Sequence, residues 1–428
     1  MFIAPAANIN GELIFSGDKS ISHRLVLISL LNRGQIKINN LSDCTDVKSS
    51  LAAVKQLGIV VKKEKELTLL HNKVIVARQG HFNINCGNSG TTARLLAGIL
   101  AGQPGFYRIF GDTSLSQRPM QRIIEPLSVM NANISAGANN SLPLEISGSR
   151  SLRAASLNNS TGSAQVKSSI MLAALQAYGE TTISEKISGR DHSERLFSRL
   201  NLPIMCDRKG IKIKGPAELS GNHHFTVPGD ISSAAFFVVA ASVIPGSRLT
   251  LKNVLLNPGR TGFIEVLQRM GANILIQTTS ETWEPCGNIE VESASLHATD
   301  IAASEIPYLI DELPVLAIAM AFAMGRSCVT GAGELRHKET DRIRDLVSQL
   351  RLAGIECQEL TDGFEIAGSN SIDQLVELDS FSDHRLAMSF AVLALGSKNG
   401  LKIKNTSCIE FSFPKFFTTL RNCTRQKN

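Results

Sequence analysis

Apolar and polar positions define two kinds of helical segment that alternate along the chain. In the first kind, a turn rich in Gly, Ser, Asp or Asn runs straight into a small-residue apolar stretch. The examples are GDKSISHRLVLISLL from position 17, GNSGTTARLLAGILA from 87, GSAQVKSSIMLAALQA from 162, GDISSAAFFVVAAS from 229, IDELPVLAIAMAFA from 310 and SDHRLAMSFAVLAL from 382. Apolar nearly all round, these segments predict buried helices. The second kind comprises TDVKSSLAAVKQLG from 45, RPMQRIIEPLSVMNA from 118, RDHSERLFSRLN from 190, RTGFIEVLQRMGA from 260, KETDRIRDLVSQLRLAG from 338 and FPKFFTTLRN from 413. Their apolar residues recur at helical spacing opposite a polar face, which predicts half-exposed helices. Short β-rich runs separate them: Gly11 to Phe15, Tyr107 to Phe110, Thr181 to Ile183, Arg248 to Val254 and Leu401 to Lys404.

The pairing recurs about every 70 residues, which predicts an α/β chain of repeated units, each with two helices and several strands. Six such units exceed what one core usually holds, so two groups of three are expected. The break should fall near FTVPGD at 225, where Pro228 resists continuation of regular structure.

With 428 residues and 43% hydrophobic side chains, the chain can build large cores, and disorder or a disulfide mini-scaffold is excluded. The longest nearly uninterrupted apolar stretch, Leu313 to Met324, falls short of the roughly 18 to 20 residues a membrane span needs, so no membrane partner is expected. The opening MFIAPAANIN lacks the basic region of a signal peptide, so a cytoplasmic location is expected. The eight cysteines include no C-x-x-C pair and read as reduced thiols. Adjacent His223 and His224 would point to opposite faces of a strand, so no metal site is expected. A net charge of +6 is spread along the chain, and aromatics make up only 5%, with Trp283 the single tryptophan. That pattern argues against a nucleic-acid partner and mildly favours small anionic substrates.

A buried helix with a Gly/Ser-rich first turn offers free N–H groups and the positive end of its dipole to an anion. Beside the six starts lie Lys19, Ser20 and Arg24; Asn88, Gly90 and Thr91; Arg118; Ser163 and Gln165; Arg190; Lys338 and Arg342; and Arg385. Together they outline a polyanion site. Each has a plainer reading as an ordinary cap or a solvated charge, and SGDKS lacks the upstream Gly and contiguous Gly-Lys-Ser of a Walker loop. Lys338 and Arg342 should lie one helical turn apart with Glu339 beside them, an arrangement suited to an acid/base group among anion binders. Asp311 opens the fifth apolar stretch as a cap or as a proton acceptor. No Gly-x-Ser-x-Gly elbow points to a serine hydrolase.

Taken in order, SGDKSISHR, GNSGTTAR, GDTSLSQRPM, SAQVKS, VPGDISSAAFF, PGRTGF, IDELPVLA, RHKETDRIR and SDHRLAM resemble the 5-enolpyruvylshikimate-3-phosphate synthase family over nearly the whole chain. The resemblance implies transfer of the enolpyruvyl group of phosphoenolpyruvate to the 5-hydroxyl of shikimate 3-phosphate, with no metal or organic cofactor, and a monomer is expected. It implies a two-domain inside-out α/β barrel with three units per domain and the active site in the interdomain cleft. Residues 20–227 would form one domain, and 1–19 with 228–428 the other. It further implies that Lys19, Ser20, Arg24, Ser163, Ala164, Gln165, Arg190, Asp311 and Lys338 meet shikimate 3-phosphate, Ala164 through backbone or packing. Lys19, Gly90, Arg118, Gln165, Arg342 and Arg385 would meet phosphoenolpyruvate. Asp311 would be the base and Glu339 the acid, with Lys19 nearby.

The chain departs from the family pattern at several positions. Ser16 replaces a common proline, and Gly189 stands where serine is usual, with Ser188 one residue away. Glu334 replaces asparagine and Phe411 replaces lysine of some members. Two other readings stay open: a UDP-N-acetylglucosamine enolpyruvyl transferase, which would want a reactive loop cysteine, and a noncatalytic repeat protein that binds polyanions. Gly90 is alanine in some herbicide-insensitive relatives, so inhibition by glyphosate competitive with phosphoenolpyruvate is expected. Full activity at saturating glyphosate in a steady-state assay would contradict it.

Overall fold

The computed structural model describes residues 1–72, 80–160, 162–185, 189–208, 210–369 and 372–426. The chain divides into two units, Gly17–Val227 and a second formed by Met1–Ser16 with Pro228–Asn428. The first crossing therefore lies at Ser16 and Gly17, not after residue 19. Asp18 accepts a hydrogen bond from the Ile21 N–H at 2.9 Å and caps a helix starting at Lys19, so Lys19 belongs with that helix. At the second crossing, the Val227 N–H donates to the Asn39 carbonyl at 3.0 Å and the Gly229 N–H to the Asn253 carbonyl at 2.8 Å. The chain thus leaves one sheet and joins another across Pro228.

The Gly17–Val227 unit contains helices α1 (Lys19–Ile28), α2 (Thr45–Gln56), α3 (Gly90–Ala101), α4 (Thr113–Ser116), α5 (Gln121–Val129), α6 (Ala164–Ala174) and α7 (His192–Arg199). Among the described residues it has three sheets of one design, a parallel pair continued by antiparallel strands. In the first, His223–Thr226 runs parallel to Asn32–Asn39, followed by Leu67–Asn72 and Val60–Glu64. In the second, His81–Asn85 runs beside Gly105–Phe110, followed by Leu144–Gly148 and Asn133–Ala136. In the third, Ser156–Asn158 runs beside Gly179–Ser184, followed by Gly210–Gly215 and Ile204–Asp207. The last strand of the unit thereby closes onto its first sheet, with Phe225 opposite Ile38.

The apolar helices α1, α3 and α6 lie inside this unit, with α3 packed against both α1 and α6. At Gly98 an added Cβ would lie 2.1 Å from the Ser169 carbonyl oxygen, so only glycine lets α3 and α6 come this close. The amphipathic segments form α2, α5 and α7, with α5 and α7 beginning two or three residues later than the sequence pattern suggests.

The second unit holds α8 (Ile231–Val243), α9 (Gly262–Arg269), α10 (Leu313–Ala321), α11 (Arg342–Leu352), α12 (His384–Gly396) and α13 (Phe416–Cys423). Its first sheet repeats the design: Ala6–Ile14 runs parallel to Arg248–Leu255, followed by Cys286–Glu292 and Asn273–Ser280, with Thr424–Gln426 on the outer edge. The N-terminal strand therefore belongs to this unit by backbone pairing, Asn10 opposite Arg248. Two three-stranded sheets complete it: Arg326–Val329, Gly363–Ala367 and Cys357–Leu360, then Phe2–Ile3, Leu401–Lys404 and Glu377–Asp379.

In this unit α8, α10 and α12 are the buried helices and pack together. Phe15, Phe237, Phe413 and Phe416 join the N-terminal strand, α8 and the C-terminal segment in one aromatic cluster, with ring centroids 5.6–6.2 Å apart. No helix among the described residues is long and apolar enough to cross a membrane. Phe237 is fully buried at the centre of the cluster, so Phe237→Ala is expected to remove about 3–5 kcal/mol of unfolding free energy. Urea denaturation checks this, and a loss below 1 kcal/mol would mean that the cluster contributes little.

Candidate functional site

The sequence-expected residues fall into one group in each unit. In the Gly17–Val227 unit, Lys19 and Ser20 open α1, and the Lys19 ammonium pairs with Asp46 of α2 at 3.0 Å. Arg24, one turn on, is buried. Its Nε donates to Ser193 Oγ at 2.8 Å, Nη2 to Ser168 Oγ at 2.7 Å and Nη1 to the Ser20 carbonyl at 2.9 Å. These bonds tie α1 to both α6 and α7.

Gly90 is the first residue of α3, capped by Ser89, whose Oγ accepts from the Thr92 N–H at 3.2 Å. A Cβ at Gly90 would lie 3.0 Å from Arg94 Nη1 and 3.5 Å from Arg118 Nη1, so both guanidinium groups lie beside the helix start. Arg118 donates to Asn88 Oδ1 at 2.8 Å. Gln165 accepts from Arg94 Nη1 at 2.5 Å and donates to Thr91 Oγ1 at 3.0 Å, linking the first turns of α3 and α6. Ser163 caps α6, and Ala164 is its first residue.

Arg190 is half-buried two residues before α7. At neighbouring Gly189, an added Cβ would lie 2.9 Å from the Gly162 carbonyl oxygen, a physical reason for glycine where serine is usual. Ser188 lies outside the described residues.

Three residues that sequence reasoning passed over organise this group. Arg94 is one. Lys167 is another: almost fully buried in α6, it sits 2.9 Å from Glu185 and 2.6 Å from Glu194 of α7. Burial lowers its pKa, but the two carboxylates outweigh that and leave it raised. Asn159 donates to Glu185 at 2.6 Å and to the Ser163 carbonyl at 3.2 Å, so this cluster fixes α7 against the start of α6. Both Arg94 and Lys167 announce themselves as lone cations inside otherwise apolar helices. The third, His23, is fully buried, with Nδ1 2.8 Å from Ser50 Oγ. Ser50 Oγ lies 2.7 Å from Thr92 Oγ1, itself 2.7 Å from Ser89 Oγ, so a chain of hydroxyl groups joins α1, α2 and the cap of α3.

In the second unit the organising group is Arg342, the first residue of α11 and almost completely buried. Its Nε donates to Asp383 Oδ2 at 2.6 Å and its Nη2 to Glu339 Oε2 at 2.5 Å, while Nη1 lies 3.9 Å from Asp311 Oδ1. Burial disfavours its charge, but Asp383 and Glu339 overcompensate and raise its pKa. Asp383 also caps α12, accepting from the Arg385 N–H at 2.8 Å. Arg385 returns to α10: Nη1 donates to the Asp311 carbonyl at 2.5 Å, and Nη2 lies 3.7 Å from Asp311 Oδ2.

The expected helical stacking of Lys338 and Arg342 does not occur. Asp341 accepts from the Arg344 N–H at 3.1 Å and caps α11, so Lys338 and Glu339 precede the helix. Lys338 Nζ nevertheless lies within 3.9 Å of Glu334, and burial lowers its pKa against the raising fields of Asp311 and Glu334. Phe411, half-buried, brings no cation. Asp311, Glu339, Arg342, Asp383 and Arg385 thus form one alternating cluster of carboxylates and guanidinium groups at the starts of α10, α11 and α12. Such a cluster can bind an anion and hold a carboxylate near it for proton transfer.

Among the described residues, no group of three or more His, Cys, Asp or Glu side chains could hold a metal ion.

The family model described as EPSP synthase (3-phosphoshikimate 1-carboxyvinyltransferase) matches residues 3–420. The chain is 44% identical over 419 residues to a 3-phosphoshikimate 1-carboxyvinyltransferase of Syntrophomonas wolfei, covering 97% of each chain. Its fold is similar to that of EPSP synthase from Acinetobacter baumannii, with a TM-score of 0.87, 34% identity and coverage of 99% and 98% of the two chains. The enolpyruvyl transferase NikO from Streptomyces tendae shares the fold at a TM-score of 0.79 and 14% identity, covering 98% of this chain and 96% of that one.

Burial, then the positive fields of Lys19 and Arg24, push the His23 pKa well below its ordinary 6.5. The unfolded chain therefore takes up this proton first, so the contribution is intact above pH 6.5 and is lost as pH falls towards the folded-state value. Wild-type Tm should consequently drop more steeply than that of His23→Asn between about pH 7.5 and 5. Thermal melts check this, and parallel slopes would contradict it.

Proposed function

The chain belongs to the EPSP synthase family, and from that premise we propose that it transfers the enolpyruvyl group of phosphoenolpyruvate to the 5-hydroxyl of shikimate 3-phosphate, releasing inorganic phosphate. This reaction lies in the shikimate pathway to aromatic amino acids. The observation that carries the chemical reading is the cluster at α10–α12, where Arg342 gathers Asp383 and Glu339 within hydrogen-bond distance and Asp311 at 3.9 Å.

Two polyanionic substrates repel one another, and fixed cations offset that repulsion without reorganising during the reaction. Lys19, Ser20, Arg24, Ser163, Gln165, Arg190 and Lys338 are assigned to shikimate 3-phosphate, with Ala164 offering backbone. Lys19, Gly90, Arg118, Gln165, Arg342 and Arg385 are assigned to phosphoenolpyruvate. Arg24 would keep its ties to Ser168 and Ser193 as it engages a ligand, so its guanidinium is held in advance.

Asp311 takes the proton of the 5-hydroxyl, whose oxygen bonds to C2 of phosphoenolpyruvate while the methylene carbon gains a proton from Glu339. The product of addition is a tetrahedral ketal bearing a methyl group. Return of a methyl proton to the Glu339 carboxylate and cleavage of the C2–O bond to phosphate, which leaves with the proton held by Asp311, restore the enol ether and both carboxyl groups. Glu339 is ion-paired to Arg342 at 2.5 Å, so its acid role requires that pair to open as Arg342 turns to phosphoenolpyruvate. The three sheets and three buried helices in each unit support an inside-out barrel of six repeated units.

Phosphate release from phosphoenolpyruvate tests the reading, with shikimate 3-phosphate and UDP-N-acetylglucosamine as alternative acceptors. Turnover is expected with shikimate 3-phosphate alone, and Asp311→Ala and Glu339→Ala should each lower kcat by about 10²–10⁴-fold. Turnover with only the nucleotide sugar would overturn the acceptor. Full activity of both variants would overturn the carboxylate roles.

A further inference from the structure

The dipeptide Asp311-Glu312 brings two adjacent carboxylates to the start of α10, in opposite surroundings. Asp311 leaves 18% of its side chain exposed, whereas the Glu312 side chain is fully buried. Glu312 Oε1 accepts from Ser232 Oγ at 2.5 Å, and Ser232 Oγ accepts from Arg260 Nη2 at 2.6 Å. Arg385 Nη1 lies 3.5 Å from the same Glu312 oxygen while donating to the Asp311 carbonyl. One buried carboxylate therefore stands between two guanidinium groups, reaching Arg385 directly and Arg260 through a hydroxyl. Arg260 is itself almost completely buried. With no negative charge between them, these two cations would repel, and Arg385 is the more exposed of the two.

We propose that Glu312 is a positioning residue for enolpyruvyl transfer, acting through Arg385. It offsets the charge of Arg260 and holds one edge of the Arg385 guanidinium at the start of α10, leaving the remainder for the anionic groups of phosphoenolpyruvate. The two neighbouring carboxylates thus divide their work: Asp311 faces the chemistry, and Glu312 sets the electrostatics behind it. This inference rests on the assignment of Arg385 to phosphoenolpyruvate.

Glu312→Gln keeps the shape of the side chain and an acceptor for Ser232 but removes the charge. Its steady-state kinetics, with each substrate varied in turn, are compared with those of wild type, Arg385→Lys and the double variant, alongside thermal melts. The expected result is a rise of about tenfold in KM for phosphoenolpyruvate, the scale of one charge-assisted contact, with KM for shikimate 3-phosphate within about twofold. In the Arg385→Lys background, the same substitution should add less than about twofold, because the effect passes through Arg385. An unchanged KM for phosphoenolpyruvate, a parallel rise for both substrates with a lower Tm, or multiplying effects in the double variant would each overturn the proposal. If Glu312→Gln does not fold, Ser232→Ala, which cuts the bridge to Arg260, is read by the same criteria. Absence of wild-type turnover would overturn the functional reading and this inference with it, whereas wild-type turnover with an unaffected variant overturns only the role of Glu312.

Discussion

A guanidinium group almost fully removed from water must be matched by nearby negative charge, and Arg342 imposes that condition on the second unit. Asp383 and Glu339 meet it at 2.6 and 2.5 Å, and in doing so they bring the starts of α11 and α12 to one place. Asp311, 3.9 Å from the same guanidinium and within reach of Arg385, draws in the start of α10. Helix N-termini that already favour anions are therefore gathered by ion pairing, and the apolar bodies of α10 and α12 pack behind them. The charges are expensive to bury, so they persist only as a complete set.

The Gly17–Val227 unit solves the corresponding problem with hydroxyl and amide groups as well as charges. Ser168 and Ser193 hold Arg24, Asn88 holds Arg118, and Gln165 holds Arg94. Such partners set geometry without cancelling positive charge as a carboxylate would, which suits residues meant to receive a polyanion. Deeper in the same unit, the line from His23 through Ser50 and Thr92 to Ser89 ties the cap of α3 to α1 and α2. The two units thus share one architectural scheme, the first adding hydroxyl and amide partners to ion pairs such as Lys19–Asp46 and Lys167–Glu194.

The repeat was legible in the sequence because burial writes itself into composition. Helices apolar on every side, such as Leu313–Ala321, have no face to offer water, and all six were recognisable from that alone. Several strands were not, since runs such as Asn133–Ala136 and Ile204–Asp207 are short, partly exposed and stabilised by pairing with distant segments. The Lys338–Arg342 stretch misled for a local reason: its charges suit a helix, but the Asp341 cap starts the helix only at Arg342. Arg94 and Lys167 were visible as cations in apolar runs, yet their partners Gln165, Glu185 and Glu194 lie elsewhere in the sequence.

By itself the sequence determined the buried helices, the break at Val227 and Pro228, and the order of motifs that carries the family resemblance, because periodicity, proline and local strings are properties of neighbouring residues. Only the tertiary structure decided which carboxylate does what. Asp311 and Glu312 are adjacent and chemically alike, but one remains partly exposed while the other is buried against Ser232 and near Arg385. That difference arises from contacts between residues 80 and 73 positions apart, and no local pattern encodes the distance between such groups.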